Sequence, residues 1–219
     1  NTGSTGATGE SAAGSAAARQ QLRDGGQMLV RERISALLDP GSPFLELCQL
    51  AGEGLYGDDP PGAGVVTGVG MIAGRPCMVI SSDPTVNDGA YNAHTCKRHV
   101  RAQRFAWQHR LPCVTLLQPG AQPPGAKQGV FADEGQFGSI LYNQTRMSRD
   151  GIAQICSVHG PAADSAAFVA AMCDEVVVVR DRGALAFGSA VPAPADAERA
   201  NREDGVTDRL AESDAHAIA

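Results

Sequence analysis

No two of the six cysteines, at positions 48, 77, 96, 113, 156 and 173, approach a C-x-x-C spacing, which excludes a local zinc ribbon or a thioredoxin-like redox pair. Several sit in apolar runs, as in RPCMVI and AQICSV, where a thiol is expected as a small, buried, reduced core group. No apolar run reaches the roughly 18 residues that a membrane-spanning helix needs. The N-terminal stretch also lacks a charged segment followed by an apolar one, so no membrane partner is expected and a reducing cytoplasm is the expected compartment. Basic charge is short as well: 18 Lys and Arg stand against 24 Asp and Glu, a net charge of −6. No positive field favours nucleic acid, and no metal site is expected.

What is present has the rhythm of a mixed α/β chain. The length suits one well-buried domain. The opening residues, NTGSTGATGESAAGSAAA, offer nothing to bury, so residues 1–22 are expected as a flexible tail and residues 23–219 as the domain. RQQLRDGGQMLVRERISALLD reads as one helix, with Leu29, Ile34, Leu37 and Leu38 near helical spacing before Pro40 and Gly41 stop it. GVVTGVGMIAGRPCMVISSD reads as two β runs turning at Ala73 and Gly74. That hairpin context makes the glycine-rich PPGAGVVTGVG a poor phosphate loop. HTCKRHVRAQRFAWQH follows as a helix, then a strand at PCVTLLQ, a helix near FGSILYNQTRMS, a strand at AQICSV, a small-residue helix and a strand at EVVVVR. Near-continuous apolar strands alternating with helices predict a sheet buried on both faces. VPAPADAERANREDG reads as a linker or short helix.

Five blocks, RERISALLDPGSPFLEL, GAGVVTGVGMIAGRPCMV, TVNDGAYNAHTCKRHVRAQRFA, FGSILYNQTRMSRDGIAQI and MCDEVVVV, resemble in order the N-terminal half of the carboxyltransferase beta subunit of biotin-dependent acyl-CoA carboxylases, of the methylcrotonyl-CoA and propionyl-CoA kind. The resemblance covers roughly residues 29–216. It implies a crotonase-like α/β fold of stacked β-β-α units with an acyl-CoA pocket. In that family two such domains face each other, the first holding acyl-CoA and the second carboxybiotin. The resemblance therefore implies a coenzyme A thioester, or an acyl-carrier one, as substrate and biotin only through a partner protein. It also implies a homo- or hetero-oligomer with a C-terminal carboxyltransferase-like subunit.

The segment SVHGPAADSAAFVAAMCDEVVVV corresponds to the family's G-x-C-x-A-G-G-A-Y-x-P-A-M. There, paired glycines at a helix start present backbone N–H groups to the thioester oxygen. In this chain the pair is Ser165 and Ala166, with Asp164 before them. The resemblance implies these three as the catalytic positions, their amides stabilising an enolate. Glycine is usually needed for positive φ or close approach, and both are penalised by a Cβ. A second glycine-rich segment corresponds to QPGAQPPGAK, keeping Gly120 but placing Ala121 at the next glycine. Gly120, Ala121, Lys97 and Arg101 are the expected coenzyme A contacts, since Lys and Arg bond phosphate strongly. A basic helix is otherwise a solvated face.

Other readings of the same residues remain. Ser165 with His159 and Asp164 suggests a nucleophile, although ADSAA lacks the glycines of a G-x-S-x-G elbow. Asp164 also suits a helix N-cap, and His159 a buried, hydrogen-bonded imidazole. At the level of function, the alternatives are a biotin-independent acyl-thioester enzyme using Asp164 and Ser165, or an inactive scaffold that has lost its oxyanion pocket.

Overall fold

The structure, a computed structural model, describes residues 14–50, 64–86, 89–119, 133–188, 194–203 and 205–219. Seven helices and nine strands are formed among the described residues. The chain begins with α1 (Ala16–Asp24) and α2 (Val30–Leu37), followed by β1 (Leu45–Leu47), β2 (Val65–Ile72) and β3 (Arg75–Ser82). Next come α3 (Ala93–His109), β4 (Cys113–Leu117), α4 (Phe137–Arg149), β5 (Gln154–Val158), β6 (Pro161–Ala163) and α5 (Ser165–Ala171). It closes with β7 (Glu175–Val179), β8 (Ala184–Ala186), α6 (Pro194–Glu203), β9 (Arg209–Ala211) and α7 (Asp214–Ile218).

The main sheet has the order β1-β2-β3-β4-β5-β7-β9. β1, β2 and β3 are antiparallel, and every pairing from β3 onward is parallel. β6 and β8 form a separate parallel pair. Alternation along β3 shows why both faces are apolar. Met78 and Ile80 pack with Ala102 and Ala106 of α3 and Met147 of α4. Val79 points the other way, to Val30 and Ile34 of α2. The central parallel strands are therefore largely apolar, as CVTLL in β4 and EVVVV in β7 show.

The segment expected as one helix is two. Gly26 at φ 66° turns the chain, and Gln27 N–H bonds back to the Leu22 carbonyl at 3.0 Å, a helix-ending pattern that glycine supplies without steric cost. α1 also starts at Ala16, inside the segment expected as a tail; residues 1–13 lie outside the described residues. The hairpin turn falls at Ala73 and Gly74, both at positive φ, and Asp39 accepts both N–H groups at 2.8 Å. All six cysteines are free, four of them buried. Among the described residues no helix is long and apolar enough to cross a membrane.

Candidate active site

The parallel strands β4 and β5 end together, Leu117 opposite Val158. From the end of β5 the chain passes through His159 and Gly160 into β6, and at Asp164 it turns sharply into α5. Asp164 carries that turn at φ 48°, ψ −120°, a region that L residues occupy only under strain. Its N–H donates to the Ala186 carbonyl (2.9 Å), which fixes β6 against β8. Its exposed side chain makes no capping bond, so the cap expected from its type is not made. Ser165 and Ala166 are already helical and neither has positive φ. The left-handed demand expected of the paired positions therefore falls one residue earlier. As the first residues of α5, Ser165 and Ala166 have N–H groups with no partner within the helix.

His159 is fully buried and hydrogen-bonded, as its place at a strand end suggests. Its partners were not legible locally. Nδ1 lies 3.0 Å from Asp214 Oδ1, and Nε2 lies 3.0 Å from the Ser157 hydroxyl. With Asp214 as an acceptor, the ring carries its proton on Nδ1 and accepts the Ser157 O–H at Nε2. Burial pushes the imidazole below its ordinary range, against the pull of Asp214. The distances are those of a Ser-His-Asp triad, yet Ser157, His159 and Asp214 are only 3%, 0% and 2% exposed. Arg33 also binds Asp214, at 3.2 Å. A substrate cannot reach such a hydroxyl, and Ser165 is not the histidine's partner, so the nucleophile reading has no geometry behind it.

Lys97 and Arg101 are exposed, and with Arg104 they follow one another along one face of α3. Arg98, in the same run, instead turns inward and donates to the Leu47 carbonyl at 3.0 Å. Beside the far end of that basic stripe, α3 and α4 enclose an open cleft of about 1080 Å³, lined by Arg104, Trp107, Tyr142 and Arg146 among others. The Arg146 guanidinium lies 3.9 Å over the Trp107 ring. Gly120 and Ala121 lie outside the described residues. Next to Ser165, Phe168 and Phe187 meet edge to face at 5.5 Å and remain 47% and 41% exposed.

The mixed sheet, the separate β6-β8 pair and the strained turn into α5 match the crotonase-like class that the resemblance implied, and known proteins identify it. The Carboxyl transferase domain profile matches residues 21–219, so the chain belongs to the carboxyl transferase domain family. It is 42% identical over 217 residues to the biotin-dependent 3-methylcrotonyl-coenzyme A carboxylase beta1 subunit of Mycobacterium tuberculosis, covering 94% of this chain and 41% of that one. The beta subunit of geranyl-CoA carboxylase from P. aeruginosa superposes with a TM-score of 0.82 at 34% identity, over 93% of this chain and 39% of the other. The transcarboxylase 12S hexamer core, solved with hydrolysed methylmalonyl-coenzyme A, shares the fold at a TM-score of 0.78 and 24% identity, over 94% and 42%. The chain thus spans about two fifths of the length of these relatives.

Proposed function

We propose that this chain is the acyl-CoA-handling part of a carboxyltransferase, acting on a carboxyl group α to a thioester. The observation that supports it most is the family match over residues 21–219, together with a helix start at the end of the parallel strands. Carboxylation or decarboxylation at that carbon passes through an enolate whose charge rests on the thioester oxygen. The N–H groups of Ser165 and Ala166 would hold that oxygen; fixed donors stabilise such charge better than water does. Both residues are helical, so their Cβ atoms bring no backbone strain, only bulk beside the bound oxygen. Asp164 points an exposed carboxylate away from any cap, and solvent screens it from the developing charge.

The exposed Lys97, Arg101 and Arg104 stripe suits the phosphates of coenzyme A. Biotin, where used, supplies the carboxyl group when bound, and this reading has it presented by a partner subunit. The assembly is an oligomer in which the remainder of a relative's length, or a separate subunit, faces α5. The transcarboxylase 12S core is itself a hexamer, which is in keeping with this.

The test is calorimetry followed by turnover. Acyl-CoA binding should weaken with added salt and with Lys97→Ala or Arg101→Ala. Ser165→Gly with Ala166→Gly should raise carboxyl transfer or decarboxylation about tenfold, part of the roughly 3 kcal/mol that one oxyanion donor supplies. Loss of turnover in that variant would instead favour a biotin-independent enzyme built on Ser165. Absence of any thioester binding would favour a scaffold.

A further inference from the structure

Asp214 lies near one end of the sequence and Arg33 near the other, 181 positions apart, yet they meet in the interior. Asp214 Oδ2 accepts from Arg33 Nε at 3.3 Å and from the Met28 N–H at 2.9 Å, while Oδ1 faces His159. Arg33 also donates to Gln118 Oε1, and Gln118 passes the chain on to Gln27 through its amide nitrogen at 2.6 Å. Gln118 and His159 are the residues that directly follow β4 and β5. The His159 N–H bonds the Leu117 carbonyl at 2.8 Å. A Cβ on Gly160 would stand 3.0 Å from Gln118 Cγ, so the two strand ends are packed against each other as well as bridged.

Stability alone is a poor account of this arrangement. Arg33 is fully buried, its desolvation pulls its pKa down, and among the described residues its Nη1 has no hydrogen-bond partner. Buried ion pairs of this kind contribute little beyond what well-packed apolar residues would, and an unsatisfied buried donor detracts further. What apolar residues cannot supply is direction: hydrogen bonds fix the orientation of the groups that they join. The fixed groups are the two strand ends, and α5 begins six residues beyond His159.

We infer that Gln118, Arg33, Asp214 and His159 form a positioning network, holding the ends of β4 and β5 so that the Ser165 and Ala166 amides stay aimed at the bound thioester. The inference rests on the carboxyltransferase reading for what the amides bind. All four are buried, and each acts through the backbone that it anchors. Because the network joins α2 and α7 to the site, changes at either end of the chain reach the amides at α5.

The experiment compares Gln118→Met, Gln118→Glu, His159→Gln and Asp214→Asn with the unmodified full chain in its natural assembly. Backbone hydrogen exchange is followed in residues 160–168 and, as an internal reference, in residues 140–148 of α4. Gln118→Met and Asp214→Asn should speed exchange in 160–168 by about tenfold or more while 140–148 is unchanged, the signature of local rather than global opening. In turnover, kcat should fall about tenfold with KM for the acyl-CoA changed less than about threefold, because the misaligned donors act on the transition state. Gln118→Glu, which keeps an oxygen facing Arg33, should restore both readouts. Unchanged exchange in 160–168, or a rise matched in 140–148, overturns the inference. If Asp214→Asn does not fold, Gln118→Met and His159→Gln decide. If the unmodified protein shows no carboxyl transfer, the functional reading fails while the exchange comparison still judges the network.

Discussion

Asp164 carries the turn into α5 at φ 48°, a conformation that strains any residue with a Cβ. Its place between β6 and α5 was legible, and its backbone was not, because an aspartate does not announce positive φ as a glycine would. A glycine relieves that conformation, so Asp164→Gly should stabilise the protein by about 1 kcal/mol, whereas Asp164→Ala, which keeps a Cβ, should not. Urea unfolding with an unchanged m-value checks the difference; equal midpoints for both variants would show that the turn is not strained. The buried imidazoles set a second prediction. His99 bonds the Tyr91 hydroxyl at 3.0 Å, and burial pushes its pKa down to about 3; His159 is lowered for the same reason. His99 stays neutral in the fold, and His159 resists protonation in the same direction, while the unfolded chain takes up protons near pH 6.5. Their contribution is therefore complete above pH 6.5 and is lost as pH falls below it, by up to ~1.4 kcal/mol per pH unit for His99. Burial pushes the Asp214 carboxyl up, but His159, Arg33 and the Met28 N–H together outweigh it and hold the group down to about 2, so it stays ionised throughout that window. Midpoints measured from pH 7.5 to 5 should fall, and less steeply in His159→Gln; a flat profile would contradict neutral burial.

Elements long enough to show a period were readable, and short ones were not. The helices α3 and α4 and the strands β2 to β5 and β7 stand where apolar spacing and turn residues put them. β1, β6, β8 and β9 have three residues each, too few to display alternation; only their partners define them. The glycines of β2 illustrate the same point from the other side. A glycine-rich run invites comparison with a ligand loop, but a Cβ on Gly68 would overlap the Phe44 ring and stand 2.7 Å from the Leu45 carbonyl oxygen. Gly68 is bare because β1 and the residue before it cross there. Gly68→Ala should destabilise by about 1–3 kcal/mol through overpacking. The same change at Gly74, whose Cβ would meet none of the described residues within 4 Å, strains its φ of 72° and should cost less. Thermal unfolding of the two variants ranks them, and the reverse order would remove the packing account.

At the scale of the molecule, half of the candidate site was legible and half was not. Asp164, Ser165 and Ala166 are neighbours in sequence, whereas Asp214 reaches His159 across 55 positions, a pairing that no local spacing can reveal. The advance signal for Arg33 was the RERI block, one of the segments resembling the family; Asp214 had none among the five blocks. What the fold leaves open is also informative. Phe168 and Phe187 form an exposed aromatic pair directly beside the start of α5, in a chain that spans about two fifths of its relatives. At 47% and 41% exposure, each ring still has somewhat less than half of the roughly 150–250 Å² that an aromatic buries when fully covered, together up to about a quarter of a partner's face in a standard interface of roughly 800 Å² per side. The chain should therefore associate through this face. Sedimentation at about 50 μM, where an interface of typical size remains intact, should show a species larger than the 22.6 kDa monomer. Phe168→Ser with Phe187→Ser should shift it to monomer with an unchanged circular dichroism spectrum. Neither position is part of the core, so the fold has no reason to respond. A monodisperse monomer before substitution would overturn association through this face. Retained association after it would place the interface on another face, away from α5.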